Sequence, residues 1–377
     1  MKSKRVLMIL PNDTLGGAEQ VLLQICKFYS KNQYVIDVFF LKKRRDNNWE
    51  NIANNVNLYY TSASREKYGL PLLVLNLKKH ASKNFYDLAY TSHTHTTGLV
   101  GFFIKIKFLH IGKFIAREST TIFDRFTGFR LERFKLMYRI GYFSTDLLIC
   151  QTHYMKRQLF NNMLAFFQKL RKIEVIPNPI SYNEIKQVIF SERPHENRYI
   201  VSAGRLIPEK GFDILIQSFK ELETDHKSLD LIILGEGPMR NELEILIDSL
   251  NLKDRVILKG FQKDVYNYFK HAKLCVVSSR IEGFPNVLLQ MMSQNNNVVS
   301  TLCAGDIDKI SGITTCAPNN IAELKQAIDL ALNSDSDKNA KLFDEQLQER
   351  DIENFINKVH SYTALGPISA FSPTPVF

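Results

Sequence analysis

Residues 274–292 read LCVVSSRIEGFPNVLLQMM, and this stretch organises the chain. Leu274 to Val277 form a short, fully apolar run suited to a buried strand. A polar turn holding Arg280, Glu282, Gly283 and Pro285 follows, and apolar periodicity resumes at Val287, with a helix opening at about Asn286. The start of a helix presents backbone N–H groups and a partial positive charge, which suit phosphate oxygens. Gly283 lets a bulky ligand approach the backbone. Glu282 offers two fixed acceptor oxygens to sugar hydroxyls. On spacing alone, a plain strand–helix turn capped by Asn286, with Glu282 as a solvated surface charge, fits equally well.

The same residues resemble the signature of retaining glycosyltransferase family 4, S-R-x-E-G-F-P-N-V-L-L-E. Ser279, Arg280, Glu282, Gly283, Phe284, Pro285, Asn286, Val287, Leu288 and Leu289 match it, and Gln290 replaces the second glutamate. The resemblance implies that Glu282 lies by the transferred sugar. It places residue 290 at the ribose, where Gln290 keeps one carbonyl acceptor but loses charge and bidentate geometry.

Two further elements carry the resemblance. In YIVSAGRLIPEKGFD, Arg205 and Lys210 sit on one loop between a strand and a helix, where two cations suit a diphosphate. A solvated loop paired with neighbours such as Glu209 explains the same pattern. Gly204, Arg205, Leu206, Lys210 and Gly211 are similar to the family element G-R-L-x-x-x-K-G, whose Arg and Lys bind donor phosphates. In PNDTLGGAEQ, Gly16 and Gly17 precede a helix near Ala18, permitting close approach of a phosphate or sugar, or simply a flexible loop. That run is not G-x-G-x-x-G, so a dinucleotide fingerprint is not supported. By resemblance it faces donor diphosphate and acceptor, Phe261 meets the base, and His93 lies close to the transferred sugar. A surface histidine is the simpler account of His95.

The chain of 377 residues is long enough for two domains. Its 45% apolar and 23% charged residues are those of a globular protein. Residues 1–180 carry 28 Lys+Arg against 12 Asp+Glu, a net of +16, and the remainder nets −6. The basic half should meet an anionic partner: membrane surface, phosphorylated substrate or nucleic acid. Five cysteines without C-x-x-C pairing read as small buried hydrophobes in a reducing compartment. The apolar run Val6 to Leu10 is too short for a signal, and Gly98 to Ile115 is broken by Lys105, Lys107, His110 and Lys113, so a cytoplasmic protein is expected.

Short β-like runs alternate with helical periods in both halves, which gives an α/β fold of two doubly wound, Rossmann-like domains facing across a cleft, the GT-B arrangement of the resembled family. Strands are expected near 5–10, 35–41, 56–61, 87–92, 113–117, 146–151 and 173–177, then 199–203, 229–234, 255–259, 274–277 and 297–301. The expected boundaries are 1–178 for an acceptor-binding domain, 179–197 for a linker and 198–350 for a nucleotide-sugar domain. The resemblance implies that residues 351–362 form a helix that crosses back to the first domain, and 363–377 should be a tail. Leu342 to His360 has a helical period throughout.

Arg125 to Phe143 interleaves five basic residues with four phenylalanines and two tyrosines. An interfacial helix on an anionic leaflet and ordinary core packing of the rings both account for it. The D-x-D strings at Asp306–Asp308 and Asp335–Asp337 lie in polar loops, and no cysteine or histidine spacing fits zinc. The expectation is therefore no metal and no cofactor. Taken together, the resemblance implies a retaining, metal-independent glycosyltransferase with Glu282, His93, Arg205 and Lys210 at its centre. It would pass a hexose or N-acetylhexosamine from a nucleotide sugar, UDP above all, to a lipid-diphosphate-linked oligosaccharide at the inner face of the membrane, for O-antigen or capsule. A non-catalytic partner subunit, motivated by Gln290, and a nucleic-acid binder, motivated by the basic half, are the alternatives; no nucleic-acid motif accompanies the charge.

Overall fold

The computed structural model describes residues 3–43, 49–50, 52–63, 66–188, 190, 192–223 and 226–365. The chain divides into two compact units, one running to Pro179 and resuming at Ile352, the other Ile180–Asp351.

The first unit runs β1 (Arg5–Leu10), α1 (Gly17–Lys31), β2 (Val35–Phe40), β3 (Val56–Tyr60), α2 (Glu66–His80), β4 (Phe85–Thr91), α3 (Thr94–Lys105), β5 (His110–Arg117), α4 (Ile122–Arg125), α5 (Gly128–Gly141), β6 (Leu147–Cys150), α6 (His153–Phe167) and β7 (Ile173–Val175). Its seven strands pair in parallel in the order β3-β2-β1-β4-β5-β6-β7. Strands covered by helices on both faces must be apolar throughout, and β1 is buried from Val6 to Leu10. Helices α3 and α5 touch backbone to backbone: a Cβ on Gly101 would lie 1.9 Å from the carbonyl oxygen of Gly141.

The second unit runs α7 (Tyr182–Lys186), β8 (Arg198–Ala203), α8 (Phe212–Leu222), β9 (Leu229–Leu234), α9 (Arg240–Ser249), β10 (Val256–Gly260), α10 (Val265–His271), β11 (Leu274–Val277), α11 (Asn286–Met292), β12 (Val298–Thr301), β13 (Thr314–Cys316), α12 (Ile321–Asn333) and α13 (Asn339–Glu349). Six parallel strands stand in the order β10-β9-β8-β11-β12-β13. The strand β13 was not expected from the sequence. At three residues, with Thr314 half-buried and Thr315 exposed, it shows no apolar run to read.

The helical period over 342–360 resolves into two helices. α13 stops at Glu349, Ile180 N–H donates to Arg350 O (2.9 Å), and α14 (Ile352–Thr363) begins afresh. Phe355, Ile356 and Val359 of α14 join the core of the first unit, and His360 Nε2 meets the Tyr29 hydroxyl at 2.9 Å. Of the expected tail, Thr363 ends α14 and residues 366–377 lie outside the described residues. All five cysteines are free and buried.

In each sheet the strand order reverses at one point, between β1 and β4 in the first and between β8 and β11 in the second. The loops leaving the carboxyl ends of two such strands diverge to opposite faces of the sheet and leave a crevice, where open α/β sheets bind ligands.

Candidate active site

The second crevice is formed by the loop 204–211 after β8 and the turn 278–285 after β11. Backbone and side chains tie the two together: Arg280 N–H donates to Glu209 O (2.8 Å) and Ser278 Oγ to Lys210 O (3.0 Å). Gly211 makes this approach possible. It has φ +63°, and a Cβ there would lie 2.2 Å from the Ser278 carbonyl oxygen.

Arg280 belongs to this scaffold. Its guanidinium forks onto Asp213 (2.8 and 2.6 Å) and also donates to Pro208 O (2.6 Å) and Asn319 Oδ1 (2.9 Å). Burial pushes the Asp213 carboxyl up, but Arg280 outweighs it and holds the group below its ordinary range.

Within the crevice the Lys210 ammonium is hydrogen-bonded to Glu282 Oε1, which also accepts from Ser279 Oγ at 3.0 Å. Glu282 N–H donates to Cys303 O (2.8 Å), and Thr301 Oγ1 to Ser279 O (2.6 Å), so the turn is pinned from β12 as well. Arg205 differs from its loop partner. It is exposed and makes no side-chain hydrogen bond or ion pair with the described residues. One cation is thus held against a carboxylate and another stands open to solvent.

The remaining residues singled out in the signature divide by burial. Gly283, Asn286, Val287 and Gln290 are half-buried, whereas Phe284 and Pro285 are buried. Phe284 packs in the hydrophobic core beneath the Arg350 guanidinium (5.0 Å to the ring), so its side chain shapes the turn from below. α11 starts at Asn286 after Pro285. Gln290 Nε2 lies 3.4 Å from the Tyr266 hydroxyl. Phe261 is 70% exposed beyond β10, a large ring in water.

In the first crevice Gly16 and Gly17 open α1, and one turn on, the buried Glu19 places Oε1 3.2 Å from His93 Nε2 at the start of α3. Sequence reasoning passed over Glu19, although it closes the G-G-A-E run, because its partner lies 74 residues away on another loop. Beneath them lies a buried polar layer. Arg117, 2% exposed, donates to Ser92 Oγ (2.7 Å) and to Asn178 Oδ1, and Asn178 in turn donates to Gln151 (2.9 Å). Burial drops the Arg117 guanidinium to about 9, against the pull of Glu19. Glu118 accepts from Tyr142 (2.7 Å) and Tyr138 (3.2 Å), and burial raises its carboxyl to about 7. His95 stacks on Phe134 at 4.7 Å, a packing role.

Helix α5 settles how its rings are shared. Tyr138 is buried and Phe134 half-buried, while Phe129 (80% exposed), Leu136 (49%) and, just past the helix, Phe143 (49%) point outward at seven-residue spacing among Arg130, Arg133 and Arg139. Among the described residues no helix is long and apolar enough to cross a membrane, and no three His, Cys, Asp or Glu side chains group as metal ligands.

Residues 184–350 match the family model of glycosyl transferases group 1, so the second unit carries a glycosyl transferases group 1 domain. Over 178 residues the chain is 34% identical to an uncharacterized glycosyltransferase of Methanocaldococcus jannaschii, covering 45% of this chain and 42% of the relative. It is 32% identical over 167 residues to the N-acetylgalactosamine-N,N'-diacetylbacillosaminyl-diphospho-undecaprenol 4-alpha-N-acetylgalactosaminyltransferase of Campylobacter jejuni, covering 44% of each. The chain therefore spans less than half the length of these curated relatives. In structure it is similar to Anabaena HepE in complex with UDP and glucose, with TM-score 0.75, 19% identity, and coverage of 96% of this chain and 99% of that one. The two parallel-sheet α/β units thus have the fold of GT-B glycosyltransferases.

Proposed function

We propose that this chain is a retaining, metal-independent glycosyltransferase that moves a hexose or N-acetylhexosamine from a UDP-sugar to a lipid-diphosphate-linked oligosaccharide, in O-antigen or capsule synthesis. The observation that carries this reading is the second crevice: an open Arg205 and a carboxylate-bound Lys210 on one loop, beside Glu282, within a glycosyl transferases group 1 domain. Two cations match the charge of a diphosphate, and that charge grows as the bond to the sugar breaks. Glu282 suits hydroxyls of the hexose, and the half-buried Gly283, Asn286 and Val287 border the space beside it. Gln290 is assigned to the ribose and Phe261 to the base. In the first unit, Gly16 and Gly17 are assigned to close approach by sugar or phosphate, and the His93–Glu19 pair to a sugar hydroxyl.

In the proposed step, the acceptor hydroxyl oxygen bonds to the anomeric carbon on the face the diphosphate leaves. The C–O bond to phosphate breaks, its electron pair departs with the diphosphate, and a phosphate oxygen takes the hydroxyl proton. Arg205 and Lys210 stabilise the departing charge. The UDP assignment leans on HepE, and the lipid-linked acceptor on the name of the Campylobacter relative. The outward Phe129, Leu136 and Phe143 among arginines support contact with an anionic membrane surface from the cytoplasmic side.

Turnover of UDP-sugars with a lipid-linked acceptor in excess EDTA, with the product's anomeric configuration read by NMR, tests the reading. Transfer with an α-linked product is expected; an absolute metal requirement or a β product overturns it. Gln290 in place of an acidic residue favours a second reading, a non-catalytic partner subunit with a weakened donor site. Saturable UDP binding accompanied by turnover excludes that alternative.

A further inference from the structure

We propose that a cavity at the β7 edge of the first sheet binds a diphosphate ester carrying an apolar chain, the lipid end of the acceptor. This inference rests on the lipid-linked acceptor reading and gives it a location. The cavity, about 580 Å³, is lined by residues of α6, β7 and α14, all within the first unit. Its volume lies within the range of about 300–1,000 Å³ common for small-molecule sites. It lies where α6 leaves the carboxyl end of β6 and where β7 ends, at the same end of the strands as Gly17 and His93.

The chemistry of the walls selects the ligand. Glu174 is the carboxylate of the lining, and Lys156 stands 3.8 Å from it while donating to Ile173 O at 2.6 Å. With that charge offset, Arg157 is left exposed, and it makes no side-chain hydrogen bond or ion pair with the described residues. Its planar fork matches two phosphate oxygens. His153 adds a third basic side chain, and Lys172 stands 4.4 Å over the Tyr362 ring, so a further cation adjoins the cavity. Phe160 and Tyr362 supply rings beside those cations. Cations alone would suit any phosphate; cations beside two aromatic rings suit a phosphate that continues into hydrocarbon.

The test is calorimetric titration of the full chain with farnesyl diphosphate and with inorganic diphosphate, each in saturating UDP so that the diphosphate site of the second unit is filled. Farnesyl diphosphate is expected to bind saturably, at least tenfold tighter than inorganic diphosphate, and at least tenfold weaker to Arg157→Glu. Equal binding of both probes would mean a site for free phosphate, and unchanged binding to Arg157→Glu would mean a site elsewhere; either overturns the proposal, as does no saturable binding. UDP affinity of Arg157→Glu reports on its folding and stands apart. If UDP binds while farnesyl diphosphate does not, this cavity assignment fails and the donor reading survives; if UDP itself does not bind, the donor reading fails.

Discussion

Lys210 and Glu282, 72 residues apart in sequence, are hydrogen-bonded to one another in the second crevice. The pair keeps each charge compensated in the ligand-free protein, and both side chains are only about one-fifth exposed. On the proposed function, an arriving diphosphate would compete for the lysine and free the carboxylate for sugar hydroxyls. Glu282→Gln removes the charge but keeps an acceptor. Its expected effect is a fall in kcat/KM of about 10²-fold, the scale of roughly 3 kcal/mol for charged hydrogen bonds. UDP affinity should hold or rise because Lys210 is released; steady-state kinetics alongside UDP titration checks both.

Gly211 sets the geometry of that pair, since a β-carbon at φ +63° would meet the Ser278 oxygen. Gly211→Ala should cost at least about 1–2 kcal/mol for the left-handed backbone alone. Thermal melts should show the loss, and Lys210 should bind UDP more weakly in the folded fraction. A melt identical to wild type would show that loop and turn are not clamped together as described.

Much of this crevice was legible in the sequence because its parts are local. The apolar strand 274–277, the turn after it and the loop 204–211 each lie within some twenty residues, and their strands are short runs with clear ends. What sequence could not reveal is pairing at a distance. Arg280 could be read only as a member of the polar turn, and its fork belongs to Asp213, 67 residues away. Phe284 belongs to the signature, and its side chain packs in the core. Glu19 finds His93, and Glu118 finds Tyr138 and Tyr142, only because β1, β4 and β5 are neighbours in a sheet whose order no local pattern encodes. The ring-rich α5 stretch left core and interface open, and burial puts Tyr138 and Tyr142 in the core and leaves Phe129 and Phe143 exposed.

Glu118 makes stability depend on pH. Burial raises its folded value to about 7 from an unfolded value near 4.5, so the folded chain binds the proton more tightly. Its stabilising contribution is fully present below about 4.5 and is lost as pH rises through 7. The groups facing it are Tyr138 and Tyr142 around the α5 end, Cys150 on β6 and His93 at the head of α3, with Arg117 preceding it on β5. Glu118→Gln cannot ionise. Wild type should lose up to roughly 3 kcal/mol between pH 4.5 and 8 that the variant does not. Denaturant midpoints across that range check it; parallel profiles would rule out a raised Glu118.

The outward face of α5 gives a surface test. Replacing Phe129, Leu136 and Phe143 together by serine removes the apolar stripe and leaves every arginine in place. Co-sedimentation with vesicles rich in anionic lipid should fall several-fold, and the binding that remains should be more salt-sensitive. Unchanged sedimentation would assign membrane contact, if any, to another face.

The most direct measurement is a calorimetric titration of UDP into the wild-type chain and into the Arg205→Ala, Lys210→Ala double variant. One saturable site in the wild type, weakened at least tenfold in a double variant that still melts cooperatively, is the expected result. Wild type without saturable binding, or a double variant that binds UDP as tightly, would contradict a diphosphate held by these two cations.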